Sequence, residues 1–153
     1  MSEIKKIMVA IGLTEYSQAK LIYAAKLAVN LDAQLIVTNI INIRDVEAIG
    51  KIESMGYKID TKGYVKDIEE ERVAELDKIV ENSGFPKEKL KIILKVGHPF
   101  DALIKIVKEE EIDLVVIGAK GRIGPEHFLL GSVAEKMIRH SPVPVLTFRS
   151  KET

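Results

Sequence analysis

The chain has 153 residues, the length of one domain, and its 23 Lys and Arg residues balance its 23 Asp and Glu residues. A net charge of zero provides no bulk field for nucleic acid or an anionic membrane, and the lack of cysteine excludes disulfides and thiolate chemistry. No apolar run approaches membrane-spanning length, and the start MSEIKKIMVAIG is typical of a first strand rather than a signal peptide. We therefore expect one cytoplasmic domain over residues 1–153, with no nucleic-acid or membrane partner.

The first half of the chain begins with a strand, a helix and a second strand. Residues 4–11 are a β-rich run that ends at Gly12, and Thr14 or Ser17 is placed to cap the helix that follows. Residues 34–41 are almost continuously apolar, as in a parallel strand covered on both faces. The helix is predicted to pack closely on the sheet through small and apolar residues at helical spacing, namely Leu21, Ala24, Ala25, Ala28 and Leu31.

The pattern weakens over residues 42–63, where Ile, Met and Tyr alternate with charges and three glycines. We predict a partly helical, mobile insert there, and favour a surface excursion over a lid that covers a ligand. Residues 64–83 predict a helix that ends at Gly84 and Pro86. Its inward positions are predicted to be Val65, Ile68, Val73, Leu76 and Val80.

The second half continues the alternation. Residues 90–96 predict the third strand, and Pro99 suits the first turn of the next helix, which points Phe100, Leu103, Ile104 and Val107 inward. Residues 114–117 predict a buried fourth strand, residues 132–140 a helix, and residues 143–148 the last strand. Five strands that alternate with helices imply an α/β fold, a doubly wound, Rossmann-like parallel sheet with helices on both faces.

Small residues follow the fourth strand at fixed offsets, in the pattern Gly-x2-Gly-x9-Gly-Ser formed by Gly118, Gly121, Gly131 and Ser132. Glycines at the strand end leave room for a ligand, and the helix that begins at Ser132 offers free N–H groups to an anion. Turn and cap chemistry alone also produces such residues, but the combined spacing in this context favours nucleotide binding. No Gly-x-Gly-x-x-Gly follows the first strand and no P-loop is present, which excludes a dinucleotide dehydrogenase and a P-loop NTPase.

This glycine pattern resembles the nucleotide-binding signature of the universal stress protein family. The segments KKIMVAIGLTEYSQAKLIYAAKLA, Gly97-x-Pro99 and SPVPVLTF extend the resemblance over nearly the whole chain. It implies the strand order 3-2-1-4-5, which brings the ends of strands one and four to one crevice. The nucleotide-binding residues expected from the motif and the resemblance are Ala10, Ile11, Gly12, Thr14, Ile40, Gly118, Lys120, Gly121, Arg122, Gly131, Ser132 and Val133.

Gly12 departs from the family pattern. In relatives that bind ATP, the first strand ends in an Asp that reaches the ribose or a metal-bound phosphate. The loss of this charged hydrogen-bond partner weakens the binding free energy by roughly 1.5 to 3 kcal/mol, or the affinity by about ten- to a hundredfold. We expect ATP or AMP as the ligand, and the glycine calls Mg²⁺ coordination into question. Glu15 fits a surface position at a helix start better than a metal ligand, so no metal site is predicted.

The resemblance implies an adenine-nucleotide-binding sensor or regulator of the stress response with little intrinsic catalysis. Two alternatives remain at this stage: a nucleotide-independent dimeric interaction module, and a slow nucleotide hydrolase that uses His127. Because no partner of His127 is placed by sequence, no catalytic residue is predicted. The resemblance also implies a homodimer through the last strand, residues 143–148, which run from Val143 to Phe148.

Overall fold

The computed structural model describes residues 3–119 and 131–149. Its centre is a five-stranded sheet in the order β3-β2-β1-β4-β5, and every pair of neighbouring strands is parallel. The strands are β1 Lys6–Ala10, β2 Gln34–Asn42, β3 Leu90–Gly97, β4 Leu114–Gly118 and β5 Val145–Phe148. The helices are α1 Ser17–Leu31, α2 Ile43–Ser54, α3 Thr61–Ser83, α4 Pro99–Glu109 and α5 Ser132–His140. The predicted doubly wound sheet and its strand order are confirmed.

The strands bury side chains on both faces, because successive residues of a strand point to opposite sides. In β1, Ile7 and Val9 belong to the core beneath α1 and α3, whereas Met8 belongs to the core beneath α4 and α5. The same alternation separates Val116 from Val115 in β4. Helices therefore cover both faces, and a ligand can reach the sheet at the ends of its strands.

Helix α1 packs on the sheet through the predicted small residues, with Ala24 and Ala28 fully buried. Two expectations for this helix were wrong. Leu31 is 42% exposed, because it is the last residue of α1 and the chain reverses at Asp32 in a left-handed conformation with φ 52°. No side chain caps the helix start at Tyr16.

The two hydroxyl groups expected to cap α1 hold the preceding turn instead. The Thr14 N–H donates to Ser17 Oγ at 2.8 Å, and the Tyr16 N–H donates to Thr14 Oγ1 at 3.3 Å. The Ser17 N–H in turn donates to the Thr14 carbonyl at 3.1 Å. These bonds fix the loop between β1 and α1, which borders the site described below.

The insert of residues 42–63 is helical over α2, so the partly helical part of the prediction is confirmed. Asn42 caps α2, since its Oδ1 accepts from the Arg44 N–H at 3.0 Å, and none of the residues of α2 is buried. Helix α3 then begins at Thr61, three residues before the predicted start. The mobility predicted for the insert stays a prediction.

Helix α3 buries less of its length than its spacing suggested. Of the five predicted inward residues, only Leu76 and Val80 are buried, whereas Val65 and Ile68 are half-buried and Val73 is 40% exposed. The helix packs against α1 and β3 and also against α2, which has no buried residue of its own. Helical periodicity predicted the inward face but not how far along the helix the core extends.

The remaining elements differ from prediction only at their ends. β1 is shorter than residues 4–11, and β5 begins at Val145 rather than Val143. Pro144 has no N–H to donate to a ladder, and the Val143 N–H donates to Ser141 Oγ at 3.2 Å. Pro99 occupies the first turn of α4 as predicted. Within the ranges 3–119 and 131–149, no helix is both long enough and apolar enough to cross a membrane.

Candidate functional site

A cavity of about 600 Å³ lies at the carboxyl ends of β1, β2 and β4. This is where the strand order reverses between β1 and β4, the usual ligand position in an open α/β sheet. Lys120, Gly121, Arg122 and His127 lie outside the residues that the structure describes. The other nine predicted site residues all line the cavity: Ala10, Ile11, Gly12, Thr14, Ile40, Gly118, Gly131, Ser132 and Val133.

The turn after β1 forms one wall of the cavity. The Ile11 N–H donates to the Thr38 carbonyl at 2.8 Å, which continues the sheet one residue past the strand. Leu13 then adopts a left-handed conformation with φ 55°, which is strained for a residue with a Cβ, and its side chain packs against the core. Gly12, between them, lines the cavity without a carboxylate.

The end of β2 is polar although it is buried. Thr38 donates from Oγ1 to the Val9 carbonyl at 3.2 Å, and Asn39 donates from Nδ2 to the Ile11 carbonyl at 2.6 Å. Thr38 and Asn39 are almost fully inaccessible to solvent, so these bonds satisfy polar groups that would otherwise be costly to bury. Both side chains fix the end of β1 relative to β2.

Arg72 of α3 reaches the same end of β2. Its Nη1 donates to Asn39 Oδ1 at 2.8 Å and to the Ile40 carbonyl at 3.3 Å. Ile40 is one of the nucleotide-binding residues expected from the family resemblance. A carbonyl oxygen has two lone pairs, so the Ile40 carbonyl retains the capacity for a second donor.

Lys20, in the first turn of α1, places its ammonium at the opposite side of the cavity, beside Gly118. A Cβ added to Gly118 would lie 3.4 Å from Lys20 Nζ. The side chain is only 9% exposed, and burial lowers the pKa of Lys20 from 10.5 to about 8. The site therefore contains a buried cation at the first glycine of the signature.

The start of α5 completes the cavity next to β4. Gly131 is the N-cap, with φ −64° and ψ 149°, and residues 131–134 all line the cavity. The first N–H groups of a helix have no partner inside it and carry a partial positive charge, so this wall suits an anion.

The other lining residues come from six places in the fold. Helix α2 contributes its first turn, so the insert borders the site although it buries no residue. Within the described ranges, no three His, Cys, Asp or Glu side chains lie close enough together to hold a metal ion. The remaining wall is formed by Tyr16, Asn42, Asp45, Pro99, Leu103, Ile117, Ala119, Ala134 and Phe148.

Seven polar residues that line this cavity were not among the predicted site residues, and four of them are Lys20, Thr38, Asn39 and Arg72. Each of these four interrupts an apolar pattern that predicts a helix or strand. Lys20 precedes Ala24 by one helical turn on the buried face of α1, and Arg72 stands four residues before the buried Leu76. A charged residue on the apolar face of a helix was the available signal.

The sequence model of the universal stress protein family matches residues 3–149. The chain belongs to the universal stress protein family. Universal stress protein Slr1230 of Synechocystis is 37% identical over 73 residues, 48% of this chain and 24% of that protein. Universal stress protein MJ0577 of Methanocaldococcus jannaschii is 30% identical over 97 residues, 63% of this chain and 58% of that protein. The aligned segments thus span less than two thirds of either relative.

Solved structures of universal stress proteins have the same fold. The structure of MJ0577 superposes with a TM-score of 0.78 at 26% identity and covers 99% of this chain and 100% of that chain. A universal stress protein in complex with cAMP superposes at 0.64 with 22% identity, covering 97% of this chain and 98% of that chain. One from Archaeoglobus fulgidus in complex with dAMP superposes at 0.64 with 18% identity, covering 97% and 100%.

Proposed function

We propose that this universal stress protein binds an adenine nucleotide, ATP or AMP, in the cavity between β1 and β4. The strongest support is that distant parts of the sequence meet at one cavity. Residues from four separate parts of the sequence, around Gly12, Ile40, Gly118 and Ser132, were predicted as one site and line one cavity. Its volume of about 600 Å³ falls within the range of small-molecule sites, roughly 300 to 1,000 Å³.

The two ends of the cavity suit the two parts of a nucleotide. We assign the backbone at Ile40 to the base, and the helix start at Ser132 with the glycine at Gly118 to the phosphate, because all three line the cavity. Structural relatives bound to cAMP and dAMP support an adenine nucleotide as the ligand class.

We assign the protein a role as a cytoplasmic sensor or regulator of the stress response rather than as an efficient enzyme. Fast phosphoryl transfer requires cations on the γ-phosphate and a group that positions the nucleophile. Gly12 removes the carboxylate that family relatives use near a metal-bound phosphate. If the chain were instead a slow hydrolase that uses His127, His127→Ala would abolish turnover without weakening binding.

Calorimetric titration of nucleotide-free protein with ATP, ADP and AMP tests the proposal. We expect a Kd of about ten micromolar or tighter for at least one of them. Gly131→Val should abolish binding, because its branched side chain narrows the phosphate end, while φ −64° allows any residue there without backbone strain. Gly50→Val is the matched control, since a Cβ at Gly50 has no neighbour within 4 Å. Absence of heat for all three nucleotides would favour the nucleotide-independent interaction module.

We also propose a homodimer through β5. In the part of the chain that the structure describes, this strand is at the edge of the sheet and pairs with β4 alone, and exposed strand edges are normally protected or paired. Light scattering at tens of micromolar should give the mass of a dimer, and a monomeric mass would contradict this assignment.

A further inference from the structure

The buried ammonium of Lys20 needs an explanation, because burying a charge without a partner is costly. The side chain is 9% exposed and faces the cavity beside Gly118. Within residues 3–119 and 131–149, no carboxylate or carbonyl forms an ion pair or hydrogen bond with Lys20 Nζ. Desolvation accordingly stands as the sole cause of its lowered pKa, with no opposing charge. Among the described residues this cation therefore has no counter-ion, and a bound anion would supply one.

We propose that the Lys20 ammonium binds the phosphate of a nucleoside monophosphate directly, so that this site takes its nucleotide without a metal ion. The inference rests on the proposed function and adds to it the charge partner, the phosphate class and the independence from Mg²⁺.

The charges of the site favour a single phosphate. Among the described lining residues, Arg72 and Asp45 carry opposite charges that offset each other. Lys20 adds one positive charge and the start of α5 about half of one, whereas a phosphate monoester carries about −1.5 to −2 near pH 7. These charges nearly cancel. The longer phosphate chain of free ATP would bring about two further negative charges to a cavity that offers no carboxylate at Gly12 to hold a neutralising metal.

The packing around Gly118 agrees with direct contact between Lys20 and a phosphate. A side chain at residue 118 would begin 3.4 Å from Lys20 Nζ and would occupy space beside the ammonium. Because the residue is glycine, the ammonium and the first turn of α5 both border the same space. A phosphate there can accept bonds from the ammonium and from backbone N–H groups together.

Calorimetry with AMP, ATP and adenosine, each in EDTA and in Mg²⁺, tests this inference on the wild type, Lys20→Met and Lys26→Met. Lys26 lies on the same helix and is exposed, so its variant controls for the loss of one charge. We expect AMP to bind equally well in EDTA and Mg²⁺, and Lys20→Met to weaken AMP about ten- to a hundredfold. Adenosine, which lacks the phosphate, should bind the wild type and the two variants with the same affinity.

The outcomes separate this inference from the proposed function. If AMP binds and Lys20→Met leaves its affinity unchanged, or if binding requires Mg²⁺, the role of Lys20 is overturned while nucleotide binding stands. If no nucleotide binds the wild type, both are overturned.

A spectroscopic readout tests the contact without a substitution. The ¹³Cε resonance of Lys20 should titrate near pH 8 in the free protein, the value that burial gives its pKa, and at higher pH with AMP bound. An unchanged midpoint in the presence of saturating AMP would overturn direct contact.

Discussion

Asn39 donates a hydrogen bond of 2.6 Å from its side-chain amide to the carbonyl of Ile11, the residue before Gly12. The other end of the same amide accepts from Arg72 at 2.8 Å. One side chain, 3% exposed, thereby joins the end of β1, the end of β2 and helix α3 at the cavity. The position of the β1 wall of the site depends on this contact.

Replacing Asn39 by leucine should lower the free energy of unfolding by about 1 to 3 kcal/mol, because the Ile11 carbonyl and Arg72 lose a buried partner. Urea unfolding measures the change. Asn82→Leu is the matched control, since the Asn82 side chain is exposed and donates to Gln18, and we expect a change within about 0.5 kcal/mol. Equal losses in the two variants would contradict the role of Asn39.

Base recognition at Ile40 predicts that AMP binds at least about tenfold more tightly than IMP. The exocyclic amine of adenine can donate to the Ile40 carbonyl, whereas hypoxanthine presents an oxygen at the same place and the two acceptors repel. Competition calorimetry gives the ratio. Equal affinities for AMP and IMP would contradict base recognition by the Ile40 carbonyl. They would point to Arg72 instead, which donates to this carbonyl at 3.3 Å and could donate to the oxygen of hypoxanthine.

Affinity for AMP should decrease as the pH rises above about 8, where the Lys20 ammonium of the free protein loses its proton. The limiting slope is about tenfold per pH unit, and the phosphate stays dianionic throughout this range because its second pKa is about 6. Tyr16, Asp45 and Arg72 also line the cavity among the residues described. Lys20→Met controls for them, and a parallel decrease in that variant would contradict the assignment to Lys20.

Lys20→Met should also stabilise the free protein at pH 7. Burial lowers the pKa of Lys20 from 10.5 to about 8, a difference equivalent to about 3 kcal/mol against the charged form. Between pH 8 and 10.5 the unfolded chain binds a proton that the native chain does not, so wild-type stability rises with pH there. We expect a gain of about 1 to 3 kcal/mol at pH 7, smaller at pH 9.5. Urea unfolding with Lys26→Met as control measures it, and destabilisation would contradict the account.

The sequence predicted the fold because its signals are local. Apolar runs such as residues 114–117, Pro99 at a helix start and the glycine spacing each report a short segment, and the sheet follows from their alternation. The polar network was not predictable in the same way. Asn39 depends on Ile11 and Arg72, which are 28 and 33 residues away in the chain. In the sequence, the sign of such a long-range contact is a single polar residue within an apolar pattern, and this residue does not identify its partner.

Some expectations were wrong because periodicity predicts which face of a helix a side chain lies on, but not whether another element packs over that face. Val73 lies on the predicted face of α3, yet it is 40% exposed. The hydroxyls of Thr14 and Ser17 were correctly placed in sequence near a helix start, but they bond within the turn rather than cap α1. The partners of these hydroxyls depend on the backbone path through Leu13, which has a positive φ. A positive φ is usually signalled in a sequence by glycine, and residue 13 is leucine.

The most direct test of the account is an amide ¹H–¹⁵N titration of nucleotide-free protein with AMP in EDTA. We predict that the largest shifts fall at Gly12, Ile40, Gly118 and Ser132, which border one cavity. A second groove, at the amino ends of the strands, is lined by Lys5, Asp32 and Lys89 and should not respond. Shifts confined to that groove, or none at saturating AMP, would contradict nucleotide binding between β1 and β4.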